Sequence, residues 1–273
     1  MSYEGHEPEL EYYPCRYGRS RIVFRGPRVS IDGPYTVVLG GSEVYGKFIE
    51  DPFCDQLADR TGRQVVNLGV MNASTDLFLR DEALMEVVCG AESVVIQAMG
   101  AGNISNRYYS VHPRRNDRFL RHSRQMEKLF PEVDFSDFAF TRHMLHALKS
   151  RAPVAFRTLE TELRAAWVTR MRLLLSRLSG HKTLLWIENR VEGDLGPEPL
   201  FVTVDMMQGL EGQIHKVAHC DVTDDLTEEA FGEMVFTETE QAQARQMLPP
   251  AAHNRIAQTL SRALRRRNGL AAA

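Results

Sequence analysis

Five short apolar runs, each continuous rather than alternating, set what this chain can fold into: YTVVLGG (35–41), QVVNLGV (64–70), ESVVIQAMG (92–100), KTLLWIEN (182–189) and HKVAHCDV (215–222). A strand that is apolar at every position is covered on both faces, which is the condition of a parallel sheet held between two helical layers. The stretches between the runs are long enough for crossover helices. The order therefore predicts an α/β chain of flavodoxin-like, three-layer α/β/α type with a parallel sheet of about five strands. In such a sheet, ligands belong at the carboxyl ends of the strands.

The reading divides the chain into an arm over 1–34, rich in Tyr, Arg and Gly, and a single domain over 35–268. Between the third and fourth runs lies more chain than one crossover needs, so 104–180 is expected to contain a helical insertion. Its second half, TLETELRAAWVTRMRLLLSRLSG, places Leu163, Trp167, Met171, Leu174, Leu175 and Leu178 at helical spacing. That half reads as the crossover helix, with Gly180 as its C-cap. The first half, from Arg107 to about Ser150, reads as a helical cap or a surface for another chain.

Charge excludes some partners. The chain has 33 Lys+Arg against 36 Asp+Glu and a net charge of -3, so no global field holds nucleic acid or an anionic membrane. Cys15, Cys54, Cys89 and Cys220 are too scattered for a disulfide framework or a zinc site and read as reduced thiols. The first residues contain no apolar run suited to a signal peptide, and no stretch of membrane-spanning length follows. A cytoplasmic protein without metal or cofactor is expected, and its oligomeric state is not legible.

The strand ends carry the candidate chemistry. Ser42 falls at the turn after the first run, where it can serve as a nucleophile or merely cap the next helix. Gly69 closes the second run, where a missing side chain permits an unusual backbone angle or close approach of a ligand. Asn103 follows the third run and offers a side-chain amide to developing negative charge; as a turn former it would need no other reason. Near the end, LPPAAHNRIAQTLSRAL starts a helix with Ile256, Leu260 and Leu264 on one face and His253 at its entry.

A serine, a glycine, an asparagine and a histidine in that order resemble the SGNH (GDSL-like) hydrolase superfamily over roughly residues 35–110 and 245–265. The resemblance implies Ser42 as nucleophile, Gly69 and Asn103 as oxyanion partners, with Asn106 as fallback, and His253 as general base. It implies a serine-dependent ester hydrolase or acyltransferase acting on a small acyl or saccharide O-acyl ester. Three departures stand out. Gly41 precedes Ser42 where the family has Asp; Gly100-Ala101-Gly102-Asn103 replaces Gly-x-Asn-Asp; and Pro250 occupies the place of the Asp three residues before the His. Without that acid, a backbone carbonyl such as that of Pro250, or Asp224 or Asp225, would have to orient His253.

Two further signals compete. Gly41-x-x-x-x-Gly46-Lys47 spells most of a phosphate-binding loop, but Phe48 replaces the magnesium-binding Ser/Thr. The stretch NRYYSVHPRRNDRFLRHSR gathers arginines from Arg107 to Arg124, with Arg114 and Arg115 placed to meet an anionic substrate if their loop overhangs the site. A solvated helix face paired with acids explains them equally. The alternative to an enzyme is a catalytically degenerate binding or assembly protein that recognises an anionic ligand through this cluster. The run Arg265 to Arg267 needs no partner, since cations suit a helix C-terminus.

Overall fold

A computed structural model describes residues 10–190, 193 and 195–265. Its strands are β1 (Tyr35–Gly40), β2 (Gln64–Gly69), β3 (Ser93–Gln97), β4 (Tyr109–Val111), β5 (Phe119–His122), β6 (His181–Glu188) and β7 (Lys216–Asp221). All five apolar runs form strands, within a residue or two of their ends except where ESVVIQAMG gives up its last three residues. They pair in parallel in the order β2-β1-β3-β6-β7, as the flavodoxin-like reading requires.

The helices, in chain order, are α1 (Ser42–Tyr45), α2 (Phe53–Thr61), α3 (Thr75–Leu79), α4 (Glu82–Cys89), α5 (Arg124–Leu129), α6 (Thr141–Arg151), α7 (Pro153–Arg177), α8 (Val204–Gln208), α9 (Glu228–Gly232), α10 (Gln241–Ala244) and α11 (Pro250–Leu264). Alternate residues of β1, β2, β3 and β6 enter opposite layers, which is why those runs are apolar, while β7 at the sheet edge buries Ala218 and Cys220 and exposes Lys216, Val217 and His219. Val37, Leu39, Val94, Ile96 and Leu184 pack with α3, α4, α6 and α7. Val38, Val65, Val95, Leu185 and Ala218 pack with α2 and α11. No helix among the described residues is long and apolar enough to cross a membrane.

The crossover helix is α7, and Leu163, Trp167, Met171, Leu174 and Leu175 are buried on it as expected. Its C-cap is Leu178 rather than Gly180. Gly180 serves instead at a close approach, since a Cβ there would lie 2.6 Å from the Ala91 carbonyl oxygen.

The arginine-rich stretch is the larger correction, because it forms an antiparallel β4–β5 hairpin rather than a helix. Tyr109 and Val111 are buried and the turn HPRRN is polar, so β-forming residues bracket a loop. The hairpin braces the exit of β3: the Tyr109 hydroxyl donates to the Gly102 carbonyl at 2.6 Å. From the other side, Trp167 Nε1 donates to the Met99 carbonyl at 2.6 Å. Arg266 and Arg267 lie outside the described residues, and Arg265 is the C-cap of α11.

Candidate functional site

The strand order reverses between β1 and β3, and a crevice at the carboxyl ends of those two strands is the expected ligand site of an open α/β sheet. A cavity of about 850 Å³ occupies it, lined by Ser42, Asn72, Gln97, Asn103, Asp117 and Thr141 among others. A smaller hollow of about 310 Å³, lined by Asp32, Tyr35, Gln64 and Glu92, lies at the opposite ends of the strands and gathers no comparable set.

Ser42 is the first residue of α1, and the N-cap is Gly41, so the hydroxyl is not spent on capping. Its partner is Asn72, whose backbone N–H donates to Ser42 Oγ at 3.0 Å. Asn72 sits in the loop after β2 at φ 56°, a left-handed conformation that Asn adopts more readily than most residues. This residue escaped the sequence reading, which looked for a glycine; an Asn can hold the same backbone angle, and the pattern NLGVMN contains both.

Asn103 closes a short 3₁₀ turn after β3 (Ala101–Asn103). Its Oδ1 accepts from the Thr141 hydroxyl at 2.6 Å, which turns Nδ2 towards the Asn72 carbonyl at 3.2 Å. Ser42 and Asn103 are thus brought together on one wall. The fallback, Asn106, is a turn former: its Oδ1 accepts from Tyr108 N–H and Tyr109 N–H at 2.9 and 3.2 Å.

Gly69 is not on that wall. Its N–H donates to Asn67 Oδ1 at 2.9 Å, and it does not line the cavity. The glycine is required by close packing, since a Cβ would lie 2.2 Å from Tyr45 N. Gly69→Ala must push α1 aside, and is expected to lower stability by about 1–3 kcal/mol, read as a fall in the urea midpoint.

His253 is also elsewhere. It is 1% exposed on α11 and does not line the cavity. Its Nδ1 accepts from Phe53 N–H at 3.1 Å, which leaves the ring proton on Nε2 and no lone pair free to take a proton from serine. Burial, with the Arg25 guanidinium nearby, pushes the imidazole down to about 3. The Pro250 carbonyl cannot be its orienting acceptor, because Nδ1 is not a donor. Asp225 accepts from Arg255 Nη2 at 2.8 Å. The chain before α11 presents Arg245, Gln246, Met247 and Leu248 to the cavity, a strip without a base.

Arg114 and Arg115 are exposed in the hairpin turn and do not line the cavity either. Their backbone N–H groups donate to His112 Nδ1 at 3.2 and 3.1 Å. Arg107 pairs with Glu162 at 2.7 Å, and Arg118 stacks 4.0 Å over the Phe140 ring. Lys47 donates to Gln243 Oε1 at 2.7 Å, a structural tie rather than a phosphate contact.

Glu43 completes the wall. Gln97 accepts from Gly41 N–H at 2.8 Å and donates to Glu43 Oε2 at 2.8 Å. Burial raises the Glu43 carboxyl above the ordinary carboxylate range, with the Gln97 hydrogen bond opposing. Among the described residues no His/Cys/Asp/Glu cluster suits a metal ion.

Residues 1–268 match the family described as Domain of unknown function (DUF6473), and the chain belongs to that family. No curated protein matches it. A lipase from goat rumen metagenome is similar in structure at 12% identity and a TM-score of 0.46, covering 86% of this chain and 99% of that one. A G-D-S-L family protein from Desulfitobacterium hafniense gives 14%, 0.39, 85% and 100% in the same order. An acetyl-xylooligosaccharide esterase from Geobacillus Stearmophilus gives 12%, 0.41, 88% and 98%.

Proposed function

We propose that this member of the DUF6473 family is a serine-dependent ester hydrolase or acyltransferase, with residues 35–268 acting as one unit. Ser42 is the nucleophile. The Asn72 N–H and the Asn103 side-chain amide hold the oxyanion, in place of the Gly69 amide that the resemblance implied. The observation that carries this reading is the Asn72 N–H at 3.0 Å from Ser42 Oγ, beside an Asn103 carboxamide whose orientation Thr141 fixes. Donors held in advance where charge will develop are what acyl transfer requires. A cavity of about 850 Å³ suits a small acyl or saccharide O-acyl ester.

The test is intact-mass labelling with a small alkyl fluorophosphonate. One adduct on wild type and none on Ser42→Ala is expected. A wild type that stays unlabelled sinks the proposal. That outcome would favour a second reading, a binding protein without catalysis, whose support is the sealed His253 and the Arg245–Leu248 strip facing the cavity.

A further inference from the structure

With His253 closed off, an activated Ser42 needs another acceptor for its proton. Four residues of the cavity wall, Asn72, Asp117, Thr141 and Asn103, form a closed ring of polar contacts that includes a carboxylate, and Ser42 is joined to it through Asn72. The Ser42 hydroxyl donates to Asn72 Oδ1 at 3.4 Å, and Asn72 Nδ2 donates to Asp117 Oδ2 at 3.4 Å. The Asp117 carbonyl accepts from Thr141 N–H at 2.9 Å, Thr141 donates its hydroxyl to Asn103, and Asn103 donates back to the Asn72 carbonyl.

Asp117 is therefore held rigidly at the backbone, with its carboxylate one carboxamide away from the nucleophile. The neighbouring Asn116 strengthens that hold. It is 1% exposed, accepts from Ser74 N–H at 2.8 Å and donates to the His112 carbonyl at 3.0 Å. The Asn72 side chain between the two groups is exposed and can swing out when a ligand enters.

The other carboxyls of the cavity are committed. Glu198 accepts from Arg142 Nη1 at 2.9 Å and from Leu200 N–H at 2.7 Å. Glu43 accepts from Gln97 and is pushed by burial towards its protonated form.

We propose that Asp117, delivered by the insertion after β3, is the general base for Ser42; the inference rests on the serine-dependent reading above. The Ser42 proton passes to the Asp117 carboxylate through one water that takes the place of the Asn72 carboxamide once that side chain swings out, as Oγ bonds to the acyl carbon. Collapse of the tetrahedral intermediate breaks the ester C–O bond, and the departing alkoxide takes the proton from Asp117. Water, or an acceptor hydroxyl, then attacks the acyl-serine and gives its proton to Asp117. Release of the acyl group returns that proton to Ser42 Oγ.

The experiment compares fluorophosphonate labelling rates of wild type, Asp117→Asn, Asp117→Ala and Asn72→Gly, each checked for folding by circular dichroism. A carboxylate is a weaker base than an imidazole, so Asp117→Asn should slow labelling by about a hundredfold, the low end for acid–base groups. Added formate should speed Asp117→Ala, which a merely structural carboxylate would not allow. Asn72→Gly keeps the backbone donor and its φ but removes the carboxamide, so it should label faster than Asp117→Asn. Equal slowing of the two without formate rescue means that Asp117 only holds Asn72, and overturns the proposal. So does Asp117→Asn at the wild-type rate, which leaves the Ser42 reading standing; an unlabelled wild type overturns both.

Discussion

Asn103→Ala is expected to slow acylation of Ser42 by about 10²–10³, the usual cost of one lost oxyanion donor. The size follows from how the amide is held. Thr141 O–H reaches Asn103 Oδ1 at 2.6 Å, so the carboxamide cannot flip without breaking a short bond, and Nδ2 is committed to the Asn72 side. Thr141 is itself buried as the first residue of α6, which removes the usual freedom of a hydroxyl partner. A donor fixed before reaction pays no reorganisation when charge develops. Thr141→Val removes the lock but leaves the donor, so its effect should be smaller than that of Asn103→Ala. Steady-state hydrolysis of a p-nitrophenyl acyl ester checks both, and the loss should fall on kcat rather than KM, because the interaction forms with the tetrahedral intermediate. Asn103→Ala with the wild-type kcat would falsify the oxyanion role.

The sheet was legible because burial on both faces leaves a mark that needs no partner information. Every position of YTVVLG is buried, and the same constraint wrote β2, β3 and β6, whereas β7 at the sheet edge buries only Ala218 and Cys220. Ser42 and Asn103 were legible through topology alone, since any residue just beyond β1 or β3 must face the switch point. Asn72 was not, because its role lies in a backbone N–H and a left-handed φ, and the sequence records neither. Asp117 was hidden for another reason: it sits 75 residues after Ser42, in a hairpin whose arginines suggested a solvated helix face.

For His253 the difference lies in the direction of the ring, not in its place along the chain. Its position at the start of α11 is as read, but the fourth residue of a helix turns towards whatever the first turn packs on, and here that is α2. The Phe53 ring lies 5.7 Å from the imidazole, and Phe53 N–H fills its lone pair. A histidine followed by a good amphipathic helix looks the same in sequence whether its ring points at a cavity or into a core.

That burial has a measurable consequence. The folded imidazole titrates at about 3 against an ordinary value of 6.5. Between those values the unfolded chain binds a proton that the folded chain refuses, so the stabilising contribution is complete above the unfolded value and is lost as pH falls towards the folded one. Each unit costs about 1.4 kcal/mol, so acidifying to pH 5 removes about 2 kcal/mol. Asp55 works in the opposite sense nearby. Burial raises its carboxyl to about 6, with Arg25 opposing, so the folded form holds a proton that the unfolded form has released, and acidification through that window adds stability.

The raw pH profile is therefore a sum, and the difference between wild type and His253→Gln isolates the imidazole. Glutamine can accept from Phe53 N–H through Oε1 and does not titrate. Urea unfolding at pH 7 and pH 5 should show His253→Gln losing about 2 kcal/mol less than wild type on acidification. The same variant should react with fluorophosphonate at the wild-type rate, because a ring sealed against α2 takes no part in moving the Ser42 proton. A folded His253→Gln that no longer labels would return the imidazole to the catalytic centre, and would require α11 to unwind by a turn when substrate enters.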